Sequence, residues 1–273
     1  MRLGDAGVEP YKYALLIDAH DPRRINVGVL SDLPLEGIRT HMDERVDGEW
    51  MYSRDCLEIT VHLPEHHGRA LTVFVNHLKS KFVKEDDPNT PPEVQRQQGD
   101  KRRRVQAEAV RELLLARFPG ARFDEEWFMV VGDMNDAPGS APVQPLVNWL
   151  LENALNRLPE HERWTHYWDK QRQVSQIDYL LLSPALSTAT QGVMPYVERR
   201  GLPTRGLGAD GRPLPREAKL VVDDTYDPSV PYGDFRPPVV AEVGFRHERF
   251  LTPEDGSKPP AASDHCAVFL ELP

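Results

Sequence analysis

Four long apolar runs constrain the fold of this chain more than any other feature. They are ALTVFVNHL (70–78), WFMVVGD (127–133), IDYLLLS (177–183) and CAVFLEL (266–272). None shows the clean apolar–polar alternation of a strand with one face in water, so we expect strands covered on both faces. Three further strand-like runs lie at 11–18, 25–31 and 56–63. Together these runs predict an α/β fold.

Two segments between the strand-like runs have apolar residues at helical spacing. The first spans 94–117 and ends before Pro119-Gly120, and the second spans about 143–152. The basic run KRRR (101–104) lies in the first helix, and we interpret it as a solvated helix face rather than a nucleic-acid patch. A chain of 273 residues suits one large α/β domain, so we expect a single domain over 1–273.

The segment from about 192 to 262 differs in composition from the rest. It contains eleven prolines, which remove backbone donors, so we expect little regular sheet there. We interpret it as a Pro/Gly-rich loop insertion that lies beside the site, not as a second domain.

Composition and the chain start restrict the class of protein. No apolar run approaches 18 residues, so we expect no membrane span. The first residues lack the pattern of a signal peptide; the cytoplasm is the default compartment, with secretion the alternative if a natural N-terminus precedes Met1. Cys56 and Cys266 predict buried free thiols, with a disulfide between them left open.

The net charge of −10 bears on the substrate. An acidic surface does not attract a polyanion electrostatically. It does not exclude a phosphodiester substrate, because a bound divalent cation can invert the charge locally.

Polar residues suited to metal and phosphate chemistry stand at the ends of the apolar runs. Each group alone has a simpler interpretation: a turn, a buried carboxylate, a cap or a core histidine. Strand ends in an α/β sandwich meet at one edge, so distant positions can form one site there. The groups are Asn76, His77, Lys79 and Lys81; Asp133 and Asn135; Asp178; and Asp264 with His265.

Four short motifs in this order resemble the endonuclease/exonuclease/phosphatase superfamily, which includes pancreatic-type deoxyribonucleases, abasic-site endonucleases, neutral sphingomyelinases and inositol polyphosphate 5-phosphatases. The resemblance runs from about Tyr11 to Leu272, apart from 192–262. It implies a four-layer α/β sandwich of the deoxyribonuclease-like type and hydrolysis of a phosphoester that depends on Mg²⁺ or Mn²⁺. The motifs are Asn76-His77-Leu78, Gly132-Asp133-Met134-Asn135, Gln176-Ile177-Asp178-Tyr179 and Ser263-Asp264-His265.

The resemblance also implies a role for each catalytic position. His265 would activate the attacking water, and Asp178 would orient the His265 imidazole by fixing its tautomer. Asp133 would position the nucleophile or assist the leaving group. Asn135 and His77 would donate hydrogen bonds to the phosphoryl oxygens.

Three other positions concern metal and substrate. By the resemblance, Asp264 would bind the metal ion, whose Lewis acidity offsets the charge of the phosphate. Arg54 could reach a phosphate, although a surface or salt-bridge role competes with that interpretation. Lys79 would add positive charge close to the substrate.

The chain departs from the family pattern at its start. The family begins with two strands, the second of which ends in a Gln-Glu pair that supplies the main metal ligand, and we find neither. Glu9 precedes a strand and does not replace that ligand. We therefore expect an N-terminally truncated sandwich, whose exposed edge would favour self-association. A truncated sequence, a short variant with a substitute ligand and a degenerate member all remain open.

The sequence therefore predicts a nuclease-like, metal-dependent phosphodiesterase that uses a histidine-activated water and acts on a phosphodiester such as DNA or RNA. The alternatives are a phosphatase or phospholipase that acts on a small or lipid phosphoester, and a non-catalytic family member.

Overall fold

The computed structural model describes residues 9–168, 173–199, 216–222, 239–245 and 263–272, the two short internal segments by their backbone alone. In these residues the helices are α1 (Pro92–Arg117), α2 (Arg122–Glu125), α3 (Gln144–Val147) and α4 (Pro184–Ala189). The strands are β1 (Tyr13–Leu16), β2 (Gly28–Ser31), β3 (Leu35–Arg39), β4 (Arg45–Val46), β5 (Glu49–Trp50), β6 (Cys56–Leu63), β7 (Arg69–His77), β8 (Trp127–Asp133), β9 (Glu152–Asn153), β10 (His166–Trp168), β11 (Gln173–Ser175), β12 (Asp178–Leu182), β13 (Tyr196–Glu198), β14 (Arg216–Val222), β15 (Val239–Phe245) and β16 (Ala267–Phe269).

A six-stranded mixed sheet forms the centre of the molecule, in the order β3-β6-β7-β8-β12-β9. Strands β7 and β8 run parallel, and every other neighbouring pair in this sheet is antiparallel. Three of the four long apolar runs are the adjacent strands β7, β8 and β12. The predicted α/β fold class is confirmed.

The central sheet is covered on both faces, as its apolar runs predict. On one face, Phe74 and Val130 belong to a buried cluster with Val110 and Leu114 of α1. On the other face, Leu57 and Ile59 of β6 pack with apolar residues of the β1–β2 ladder, and the end of the sheet packs against α4. The buried residues of β7, β8 and β12 are therefore mainly apolar on both faces, whereas β6 places the buried Glu58 against Arg117 of α1.

The 192–262 segment contains more regular structure than its proline content suggests. β14 and β15 pair over seven residues each, and β14 adds to β11 to give a second sheet, in the order β10-β11-β14-β15. Within the described residues of this segment the expectation of little sheet is wrong, because two proline-free stretches are long enough for strands. Residues 200–215, 223–238 and 246–262 of the expected insertion lie outside the described residues. The single-domain interpretation stays a prediction.

Two further sequence predictions need correction. The helix predicted at 143–152 is only the four-residue α3, because the chain turns after Val147 and Glu152–Asn153 pairs with β12; Leu150, which continues the helical spacing, is exposed. The apolar run at 266–272 is not a central strand. It forms the three-residue β16, which pairs with β13 and leaves Phe269 half exposed.

Both cysteines are buried free thiols, as predicted, and the disulfide alternative does not occur. The basic run is more than a solvated face: Lys101 is exposed, but the Arg103 side chain is buried in an ion pair with Asp136. Leu16 and Leu30 of the β1–β2 ladder are exposed. Self-association stays a prediction.

Candidate active site

The register of the central sheet places three of the predicted site residues side by side. His77 at the end of β7 stands opposite Asp133 at the end of β8, and Asp133 stands opposite Asp178 at the start of β12. β7 and β8 are parallel, and β12 is antiparallel to β8, so two strand ends and one strand start meet at one edge. Residues that are far apart in sequence thus become neighbours through strand pairing alone.

His265 joins this edge from the C-terminal segment. An isolated antiparallel bridge between His265 and His166 fixes its backbone beside β10. Its Nδ1 atom lies 3.0 Å from Oδ2 and 3.2 Å from Oδ1 of Asp178. The imidazole therefore has a carboxylate on one ring nitrogen, which leaves Nε2 for another partner.

The carboxylates around His265 stabilise its protonated form. Burial opposes protonation, but the hydrogen bond to Asp178 and the charges of Asp178, Asp133 and Asp264 outweigh it and raise the pKa of His265 to about 9. At neutral pH this imidazole is therefore cationic in the metal-free chain. A positive charge beside the carboxylates, such as that of a bound metal ion, would lower the pKa of His265 again.

The strand end at Asp133 is held by local hydrogen bonds. Asp133 Oδ1 accepts from the backbone N–H of Asn135 at 2.7 Å, and Oδ2 lies 3.2 Å from His77 Nε2. Asn135 has a φ of 55° and donates through Nδ2 to the carbonyl of Leu78 at 3.0 Å. This turn fixes the Asp133 carboxylate and ties β8 to the residue that follows β7.

The two predicted substrate-binding cations have different environments. Arg54 is buried; its Nε donates to Asp21 Oδ2 at 2.8 Å and its Nη1 donates to the carbonyl of Leu78. This supports the salt-bridge role that the sequence left open for Arg54. Lys79 is half-buried, and burial together with the guanidinium groups of Arg54 and Arg103 lowers its pKa.

Asp21, the partner of Arg54 in this buried ion pair, also has a shifted pKa. Burial opposes ionisation of Asp21, but hydrogen bonds from Arg54 and Arg23 outweigh it and lower the pKa of Asp21 to about 2. Arg54 thus holds the loop at Asp21 next to the active-site turn, through the Leu78 carbonyl that Asn135 also contacts.

Three side chains form a group that could hold a metal ion. Asp133, Asp178 and His265 each offer one ligand atom, and these atoms lie within 4.8 Å of one another. Two carboxylates with an imidazole suit a divalent cation such as Mg²⁺ or Mn²⁺, so the donor set fits the predicted ion. Asp264, the residue predicted to bind it, is outside this group: its carboxylate is 60% exposed and lies 3.7 Å from His166 Nε2.

Two residues of the site were missed by the sequence analysis. Thr165 is fully buried and donates through its hydroxyl to Asp178 Oδ2 at 2.8 Å. The ring of His166 lies 4.9 Å from that of His265, and burial together with the His265 charge lowers its pKa. Both belong to WTHYW (164–168), where three aromatic residues suggested no site; the only signal was a Thr-His pair close to the Asp178 motif.

The comparison with protein families decides the assignment. The sequence profile of the Endonuclease/Exonuclease/phosphatase family matches residues 2–265, nearly the whole chain. The chain belongs to this family. The family's description names nucleases and phosphatases, which hydrolyse phosphoester bonds, and its match includes each of the four motifs.

Solved structures of several proteins are similar to this chain at low sequence identity. No curated protein sequence matches it. Sphingomyelinase C from Streptomyces griseocarneus is 15% identical over 68% of this chain and 61% of its own, with a TM-score of 0.43. Beta toxin from Staphylococcus aureus is 11% identical over 78% and 73%, with a TM-score of 0.46. The human Nocturnin catalytic domain is 16% identical over 62% and 53%, with a TM-score of 0.40.

The chain spans less than two thirds of the Streptomyces and Nocturnin chains. Among the helices that the structure describes, none combines the length and the apolar character that a membrane crossing requires.

Proposed function

We propose that this family member is a nuclease-like phosphodiesterase that hydrolyses its substrate with a water activated by His265. The observation that carries the proposal is the Asp178–His265 pair, at 3.0 Å, next to the Asp133 carboxylate at one edge of the sheet. A carboxylate–imidazole pair beside a second carboxylate provides a base and a cation site within reach of one phosphate.

In this mechanism His265 takes the proton of the attacking water on Nε2. Asp178 holds the proton on Nδ1 and stabilises the imidazolium that forms. The oxygen of the water forms the new bond to phosphorus, and the bond from phosphorus to the leaving oxygen breaks. The leaving oxygen departs on the side of the phosphate opposite His265, since attack and departure are roughly in line, and takes a proton from solvent water there.

Two other residues contact the phosphoryl group in this proposal. Asn135 Nδ2 uses one of its two hydrogens on Leu78 O, which leaves the second for a phosphoryl oxygen. His77 Nε2 lies against Asp133, so a hydrogen bond from this nitrogen to the substrate requires it to leave that carboxylate. His77 therefore orients Asp133 in the free chain.

Asp133 and Asp178 are the residues that would hold Mg²⁺ or Mn²⁺, because Nδ1 of His265 faces Asp178 and its Nε2 takes the proton of the water, which leaves no ring nitrogen for an ion. The bound ion would supply a Lewis acid for the phosphate and a positive charge that lowers the pKa of His265 towards neutrality.

The first test measures hydrolysis of bis-p-nitrophenyl phosphate and nicking of plasmid DNA with Mg²⁺, with Mn²⁺ and with EDTA. We expect turnover with either ion and none with EDTA. His265→Ala and Asp178→Asn should each lower kcat by roughly 100- to 10,000-fold, because both remove the base or its orientation. His161→Ala is the matched control, since its imidazole is 65% exposed and lies against Glu162. Folded wild-type protein that cleaves neither substrate would disprove the proposal.

A second candidate is a phosphatase or phospholipase activity on a small or lipid phosphoester. The net charge of −10 favours it, because a small substrate meets less repulsion from an acidic surface than a long polyanion does. Release of phosphate or headgroup from inositol phosphates or sphingomyelin, with DNA left intact, would support this activity over the nuclease.

A further inference from the structure

Thr165 is hydrogen-bonded to Asp178 through its side chain and to Cys266, the residue after His265, through its backbone. Its hydroxyl donates to Asp178 Oδ2 at 2.8 Å and accepts from the backbone N–H groups of Asp178 and Ile177 at 3.1 and 3.2 Å. One hydroxyl has one proton and two lone pairs, so all of its hydrogen-bonding capacity is used at the start of β12.

The backbone of Thr165 holds the other member. Its carbonyl accepts from the N–H of Cys266, the residue after His265, at 2.6 Å, and its own N–H donates to the carbonyl of Ser175. Two residues further on, the N–H of Tyr167 donates to the carbonyl of Asp264 at 2.8 Å. The segment that contains Thr165 thus lies between the strand that leads to Asp178 and the segment that carries His265.

The hydroxyl bond has a consequence for the Asp178 carboxylate. Both carboxylate oxygens lie close to His265 Nδ1, at 3.2 and 3.0 Å, and only Oδ2 also accepts from Thr165. An aspartate carboxylate can rotate away from an imidazole about χ2, whose energy profile is broad, unless a second contact fixes it. Thr165 is 0% exposed, so its hydroxyl has no solvent water to donate to in place of Asp178.

The geometry points to Thr165 as the positioning residue of the Asp178–His265 pair. It sets the plane of the Asp178 carboxylate through its hydroxyl and the position of His265 through its carbonyl. It touches no reacting atom, and its effect on hydrolysis passes through Asp178. This inference rests on the proposed function for its effect on turnover, but the orientation of His265 is measurable without turnover.

The test compares Thr165→Val, which removes the hydroxyl at nearly constant volume, with Thr165→Ser, which keeps it. We expect Thr165→Val to lower kcat roughly tenfold or more with KM little changed, and Thr165→Ser to restore most of the loss. ¹⁵N NMR of the His265 ring in the metal-free protein gives the second readout. The signal of a hydrogen-bonded Nδ1–H should weaken in Thr165→Val and persist in Thr165→Ser.

The matched control is Thr190→Val. Thr190 is also 0% exposed, and its hydroxyl donates to Leu186 O and accepts from Arg157, away from the site. The Thr190→Val variant should be less stable than the wild-type protein, with the same kcat and the same His265 signals. If Thr165→Val does not fold, Thr165→Ala takes its place, with thermal unfolding followed for every variant.

The outcomes separate this inference from the proposed function. If wild-type protein shows no turnover, the proposed function fails and the His265 signals alone decide the role of Thr165. If Thr165→Val leaves the His265 signals unchanged, as Thr190→Val should, and also leaves kcat unchanged where turnover exists, the inference is overturned. Thr165 is then only a packing residue.

Discussion

Gly132 shows how one residue permits the active-site edge to form. It has a φ of +124°, which side chains rarely allow, and it stands opposite Asn76 in the parallel β7–β8 pair. A Cβ atom added to Gly132 would lie 1.9 Å from the backbone oxygen of Asn76. The glycine before Asp133 is therefore required both by the backbone conformation and by the close approach of the neighbouring strand.

We predict that Gly132→Ala destabilises the protein by about 3 kcal/mol or more, because the clash is with backbone and cannot be relieved by a side-chain movement. Urea unfolding measures this. Gly120→Ala is the control: Gly120 also has a positive φ, of 63°, but no atom lies within 4 Å of its added Cβ, so only about 1 kcal/mol is expected. Equal losses in the two variants would show that the conformation alone, and not the contact with Asn76, determines the cost.

Three of the predicted site residues are neighbours in the structure because each of them lies at the end of a strand. His77, Asp133 and Asp178 each close or open an apolar strand, and strand pairing places them together. The exposure of Asp264 and the contacts of Thr165 depend on how the 164–168 segment and the C-terminal segment meet, which no periodicity in the sequence specifies.

At the scale of elements, α1 is attached to the active-site loop by a buried ion pair. Nε of Arg103 lies 3.0 Å from Asp136 Oδ2, and each of these side chains is 1% exposed. Arg103 also donates to the Lys79 carbonyl, and Lys81 contacts Asp136 from the same loop. The backbone carbonyl of Asp136 accepts from the Tyr179 hydroxyl at 2.7 Å. One helix thereby fixes the loops that follow β7 and β8.

We predict that Arg103→Met lowers the free energy of unfolding by about 3 to 5 kcal/mol, because it leaves Asp136 buried with less compensating charge. Arg104→Met is the control on the same helix. Arg104 pairs with Glu108 at 3.0 Å, but both side chains are about one third exposed or more, so its removal should cost less than about 1 kcal/mol. Thermal and urea unfolding measure both. A similar cost for the two variants would mean that the Arg103–Asp136 pair does not anchor α1.

Helices and strands with a long apolar pattern in the sequence match their predicted bounds, and the short or irregular elements do not. The helix predicted at 94–117 is α1 at Pro92–Arg117, and the strands predicted at 56–63 and 127–133 are β6 and β8 with the same bounds. The missed strands, such as β3 at the sheet edge and the β14–β15 pair, are short, irregular or flanked by prolines, and they form through pairing with a neighbour.

At the scale of the whole molecule, the net charge of −10 opposes any long anionic substrate. Positive groups do lie near the site, among them Lys79 and Lys81, and each has anionic or carbonyl partners close by. The field that a distant phosphate meets is therefore that of the acidic surface, and the attraction is confined to the catalytic edge.

We predict that the kcat/KM for plasmid DNA rises as KCl is increased from low ionic strength to about 0.1 M at a fixed Mg²⁺ concentration, where the screening length is about 10 Å. Such screening suppresses repulsion from the distant surface but not contacts in the site. The kcat/KM for bis-p-nitrophenyl phosphate should change less than about twofold over the same range, and this control also reports any loss of metal. A steep fall for DNA with a constant value for the small diester would instead indicate counterion release from a basic DNA groove, and the acidic surface would then not govern the encounter.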